Sequence, residues 1–127
     1  MGKKQKKYKK GLLDHYFNES VDDRAIFLEG LGKWPKGSLV YVIREIAGGR
    51  YGDFDLYFSV TENTAEMSRD YFEAAGISGI ECVISGSGRY KQVLAFAKYL
   101  INEADFPNYW IKKKEQIYVN IWHGTPL

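Results

Sequence analysis

The sequence has one cysteine, two histidines and no long apolar run. A lone cysteine, Cys82, excludes a disulfide framework. With only His15 and His123 beside it, the common zinc sites, which need four clustered ligands, are excluded as well. Cys82 itself reads as a small buried hydrophobe within Glu81–Ser85. No stretch approaches the roughly 18 apolar residues of a membrane-crossing helix. No apolar segment of the right length follows the basic start, so no secretory signal is expected and the cytoplasm is the default compartment. Gly2 follows Met1, but Lys6 stands where a myristoylation pattern wants Ser or Thr. No cofactor motif and no cluster of metal ligands stands out.

What is present fits one globular domain. The chain has 127 residues, 45% of them hydrophobic and 27% charged, which excludes disordered and collagen-like classes. A chain of this length buries roughly two-thirds of its unfolded surface, enough for one core and too little for two full domains. Ten tyrosines raise the aromatic share to 16%, so aromatic side chains are expected on the surface as well as inside. The net charge of +2 conceals an asymmetry. Six lysines lie in the first ten residues, which leaves −4 for residues 11–127. Such a basic head can solvate a helix start, hold anionic lipid, or hold nucleic acid through counterion release. No basic patch interleaved with aromatics elsewhere supports nucleic acid as a partner.

Along the chain, Tyr8, Leu12, Leu13, Tyr16 and Phe17 recur at helical spacing opposite the lysines. Residues 1–20 therefore read as a basic amphipathic helical segment. From residue 21 the pattern changes to alternating short apolar runs and helical stretches. Strands are expected over 24–28, 55–60, 80–85, 99–101 and 116–121. Helices are expected from a cap at Asn63 or Thr64 to about Ala75, with Gly76 just beyond, and from about Arg89 to Ala97. Ser38–Ile46 is ambiguous: its β-branched residues favour strand, whereas Leu39, Val42, Ile43 and Ile46 mark one helix face. A helix gives the alternation that a parallel sheet requires. The expected fold is therefore α/β: a Rossmann-like, mostly parallel sheet over residues 21–127 with helices on both faces.

Ligands of open parallel sheets bind outside the carboxyl ends of the strands. Three features fall there. The loop after the first strand carries Gly30, Gly32 and Gly37; it matches neither GxGxxG nor a Walker loop, and reads either as a phosphate loop or as a plain turn. Ser85-Gly86-Ser87-Gly88 opens a helix, where free N–H groups can hold an anion or the serines can merely cap. His123 follows an apolar strand beside Gly124, a position that suits a general base near neutral pH as well as a structural imidazole.

Residues 97–127, AKYLINEADFPNYWIKKKEQIYVNIWHGTPL, resemble the hallmark of the CDP-glycerol glycerophosphotransferase family, the builders of teichoic acid and related capsule polymers. Ser85–Tyr90 is similar to the serine-rich turn of that family, and Phe27–Lys33, more loosely, to its first strand and glycine loop. The resemblance implies the N-terminal, acceptor-side half of a GT-B transferase, with the donor-binding C-terminal half expected to be absent from these 127 residues. It implies transfer of glycerol phosphate from CDP-glycerol to a lipid-linked acceptor hydroxyl on the inner face of the cell membrane. In that scheme His123 is the general base. Gly30, Gly32, Ser85, Ser87, Gly124 and Thr125 shape the substrate cleft, and the lysine head meets anionic lipid. The competing expectation is a Rossmann-like docking or binding module without chemistry. A receiver-like signalling domain lacks its cue, because Glu29-Gly30 stands where an acidic pair would end the first strand.

Overall fold

The computed structural model describes residues 18–103 and 112–121; the expected N-terminal helix up to residue 17 lies outside them. The elements are β1 (Asp22–Glu29), α1 (Ser38–Ala47), β2 (Asp55–Val60), α2 (Ala65–Ala74), β3 (Ile80–Ile84), α3 (Gly88–Phe96), β4 (Ala97–Asn102) and β5 (Ile117–Asn120). The strands form one sheet in the order β3-β2-β1-β4-β5, and each neighbouring pair is parallel. This is the expected Rossmann-like α/β architecture.

The central strand explains the layering. Side chains alternate across a strand, so β1 sends Ala25 and Phe27 to one face and Ile26 and Leu28 to the other. Ala25 and Phe27 pack with Val93, Leu94 and Leu100 beneath α3. Ile26 and Leu28 pack with Leu39 and Ile43 of α1 and Phe72 of α2. A strand buried on both faces reads as a continuous apolar run, as Ala25–Leu28 does. The ambiguous segment is a helix, α1, whose inward face is Leu39 and Ile43. Truncating Ile43 to Ala would cost about 2–5 kcal/mol.

The helix ends show which local signals held. Gly76 adopts φ +72 just past α2; its N–H donates to Glu73 O, and the Ile77 N–H donates to Phe72 O. That is a Schellman stop, which favours glycine. Thr64 does stand at the N-cap of α2, yet its side chain does not cap. Its hydroxyl is turned away, accepting from Thr61 N–H at 2.8 Å and donating to Lys33 O at 2.6 Å. The break expected between the third helix and the fourth strand is missing: α3 ends at Phe96 and β4 starts at Ala97. Buried Gln116 makes this possible, donating to Leu94 O at 2.7 Å and Ala97 O at 2.9 Å. Two carbonyls that a helix end leaves open are thereby satisfied. Gln116 is accordingly outside β5, which begins at Ile117.

Cys82 is half-buried on β3, and burial pushes its thiol pKa up, as suits a packing residue. Among the described residues no helix is long and apolar enough to cross a membrane.

Candidate functional site

The direction of winding reverses at β1. The chain builds β2 and β3 outward on one side, then returns to place β4 and β5 on the other. In such sheets the crevice lies between the carboxyl ends of the strands flanking the reversal, here β1 and β4. Glu29 pairs with Asn102 there, and the Glu103 N–H donates to Glu29 O at 3.1 Å.

The floor of this crevice is a buried polar cluster. Glu29 is 5% exposed. Its Oε1 accepts from Ser59 Oγ at 2.8 Å and from Tyr90 Oη at 3.0 Å, and its Oε2 accepts from Asn102 Nδ2 at 3.1 Å. One carboxylate thus joins β1, β2, β4 and α3. Burial raises the Glu29 pKa, and the donors from Ser59, Tyr90 and Asn102 and the positive charge of Lys33 counter only part of that rise. Tyr90 is held from below by an edge-to-face contact with Phe27, ring centres 5.5 Å apart.

Above the floor lies the glycine loop. The Lys33 N–H donates to Gly30 O at 3.2 Å, closing a turn in which Lys33 itself takes φ +54. The Thr64 hydroxyl ties the carbonyl of Lys33 to the start of α2. A Cβ on Gly30 would lie 2.7 Å from Glu103 Oε1 and 3.3 Å from Leu39 Cδ1, so a side chain there would displace the Glu103 carboxylate. Between this loop and Glu103 is a recess of about 400 Å³ that includes Gly32, Trp34, Lys36, Gly37 and Ser38 in its lining. The Lys36 ammonium stands 5.3 Å from the centre of the Trp34 ring. The recess therefore offers a carboxylate, an ammonium, a hydroxyl and an aromatic wall.

Of the residues expected from sequence, Gly30 and Gly32 belong to this crevice. Ser85 and Ser87 are at the same edge but at the end of β3, two strands from β1 and so about 10 Å away. Ser87 is the N-cap of α3, its Oγ accepting from Tyr90 N–H at 3.2 Å, and the Ser85 N–H donates to Val60 O at 2.8 Å. The structure does not bring these serines to the glycine loop. His123, Gly124 and Thr125 lie outside the described residues. The chain is placed as far as Ile121, whose N–H donates to Asn102 O at 2.8 Å at this same edge. Sequence reasoning missed Glu29, Ser59, Tyr90 and Asn102 as a cluster, and Trp34, Lys36 and Glu103 as a recess. The available signal was an acidic residue ending each of two apolar strands, Glu29 on β1 and Glu103 just past β4. Among the described residues no group of three or more His, Cys, Asp or Glu side chains could hold a metal ion.

A family profile for CDP-glycerol:poly(glycerophosphate) glycerophosphotransferases matches residues 15–127. The chain belongs to this family. It is similar in fold to the wall teichoic acid polymerase TagF, with a TM-score of 0.70 and 27% identity, over 98% of this chain and 28% of that one. A TagF variant soaked with CDPG matches with a TM-score of 0.70 and 25% identity, over 94% of this chain and again 28% of that one. The chain thus spans 28% of the length of the polymerase structures it matches. No curated protein matches it. The family expected from the WHGTPL segment is the family found, and so is the fold.

Proposed function

We propose that these residues form the acceptor-side half of a glycerophosphotransferase that moves glycerol phosphate from CDP-glycerol to a hydroxyl of a lipid-linked acceptor. The observation that carries this reading is the family match over residues 15–127, which takes in both the glycine loop and the Trp122-His123-Gly124-Thr125 sequence. The CDPG soak of the TagF variant supports the choice of donor. A second α/β half would hold most of the CDP-glycerol, in the manner of a GT-B enzyme. The topological reversal supports placing the acceptor between β1 and β4.

In the proposed step, His123 takes the proton of the acceptor hydroxyl. The oxygen forms a new bond to the phosphorus of the glycerol phosphate unit. The bond from that phosphorus to the bridging oxygen breaks, and CMP leaves with the electron pair. Gly124 and Thr125 shape the cleft around the imidazole, and Gly30 and Gly32 let the acceptor approach the backbone. Work on a lipid-linked acceptor places the protein on the inner membrane face, where the lysines of residues 1–10 would meet anionic headgroups at about 1 kcal/mol each.

The test is turnover in a competent protein carrying these residues. His123→Ala lowers kcat by roughly 10²-fold or more if the imidazole is the base; near wild-type kinetics would remove it from that role. Deleting residues 1–10 weakens binding to anionic vesicles in a salt-dependent way. Vesicle affinity indifferent to both salt and deletion would contradict the lipid role.

A further inference from the structure

The Glu103 side chain is the exception in the crevice. It is only 9% exposed, yet no N–H or O–H donor of the described residues reaches its carboxylate. Its backbone is fixed by the bond from its N–H to Glu29 O. Its carboxylate lies across the glycine loop, where a Cβ on Gly30 would come 2.7 Å from Oε1 and one on Gly37 would come 3.4 Å from Oε2. Its oxygens are not sealed from water, and the side chain lines the open recess, so its acceptor positions are available to a ligand that brings donors.

The neighbours decide what kind of donor. A divalent cation wants several oxygen ligands; the carboxylate of neighbouring Glu29 is taken up by Ser59, Tyr90 and Asn102, and no group of three or more His, Cys, Asp or Glu among the described residues could hold a metal. A cationic amine would enter beside the Lys36 ammonium, which lines the same recess. Neutral hydroxyls meet neither objection. Two adjacent hydroxyls can donate to the two carboxylate oxygens, while the carbon chain lies on Trp34. An anionic group attached to the chain would be held at the Lys36 end, away from Glu103. At about 400 Å³ the recess has room for far more than one water, whose share of liquid volume is about 30 Å³.

We infer that Glu103 is a binding residue for the vicinal diol of a glycerol phosphate unit, with Trp34 as its wall and Lys36 as the phosphate contact. This rests on the transferase reading for the identity of the polyol, and names the recess as the place where the acceptor end is recognised. Glu103 would then select a terminal unit whose hydroxyls are free over one that is already substituted.

The test is an NMR titration of the 127-residue chain with sn-glycerol 3-phosphate and, separately, n-propyl phosphate, which keeps the phosphate and lacks the hydroxyls. The Trp34 indole N–H and the Gly37 amide are followed. Glycerol phosphate is expected to move both signals and to bind roughly 10- to 100-fold more tightly than propyl phosphate, the scale of hydrogen bonds to a charged group. That advantage is expected to vanish in Glu103→Gln. Equal binding of the two ligands, no binding of either, or an advantage that survives Glu103→Gln would each overturn the assignment. The two-ligand comparison in the unmodified chain stands even if the variant misfolds. Turnover of CDP-glycerol is scored separately. Diol selectivity in a protein that transfers nothing would overturn the transferase reading alone, and an active transferase without selectivity would overturn the Glu103 assignment alone.

Discussion

Two glutamates sit side by side at the carboxyl edge of the sheet, joined through one backbone hydrogen bond, and their surroundings are opposite. Glu29 is 5% exposed and accepts from three side chains; Glu103 is 9% exposed and accepts from none among the described residues. Burial alone therefore does not separate a structural acid from a functional one. What separates them is whether the fold supplies the donors. Around Glu29 the fold has committed Ser59, Tyr90 and Asn102, so the group holds the strand ends together and has little left to offer. Around Glu103 the acceptor capacity is left for something that arrives.

The largest expected effect tests the first half of that contrast. Glu29→Ala removes the acceptor shared by Ser59, Tyr90 and Asn102 and should destabilise the chain by about 3 kcal/mol, read as a shift in a urea unfolding curve. Glu29→Gln keeps the shape and much of the bonding, and should cost far less. A similar loss from both would mean that the charge, not the acceptor geometry, is what matters.

A smaller effect appears in pH. The folded-state pKa of Glu29 is raised above its unfolded value. The folded state therefore holds its proton longer, and stability falls as pH rises from the ordinary glutamate value through the raised one. The slope from this group is at most about 1.4 kcal/mol per pH unit. It should be absent in Glu29→Gln, and an unchanged slope there would assign the dependence to other groups.

Next, Gly30→Ala places a Cβ against Glu103 Oε1 and should cost about 1 kcal/mol. Much of that loss should disappear when Glu103 is also changed to Ala, which a double-mutant cycle measures directly. Additive losses would show that the two positions do not touch. The smallest effect is that of Glu103→Gln itself, expected to leave stability within about 0.5 kcal/mol or to raise it, because no native hydrogen bond is lost. A loss as large as that of Glu29→Ala would erase the contrast.

Most of the architecture was legible because its causes are local. Ala25–Leu28, Leu56–Val60 and the helix face of Leu39 and Ile43 declare themselves within a few residues. The α3–β4 junction was not legible. The donor that lets a helix run straight into a strand is Gln116, 22 residues from Leu94 and 19 from Ala97. The site divides in the same way. Gly30 and Gly32 were visible from spacing after a strand. Glu29 and Glu103 acquire their roles only once β4 lies beside β1, a pairing whose Glu29–Asn102 side-chain bond spans 73 residues. Ser87 shows the converse: a plausible anion loop by sequence, its hydroxyl is used by the first turn of its own helix.

The strand order also carries a consequence for biosynthesis. A ribosome delivers β1, β2 and β3 in succession, and each can dock on its predecessor as it emerges. The other edge of β1, the central strand of the finished sheet, stays bare until residue 102 has left the exit tunnel. During that interval the nascent chain presents an apolar strand with unpaired N–H and C=O groups, a template for wrong partners. A holdase chaperone active during synthesis would find its preferred target in that window, and slowing translation between codons 84 and 102 should lengthen it.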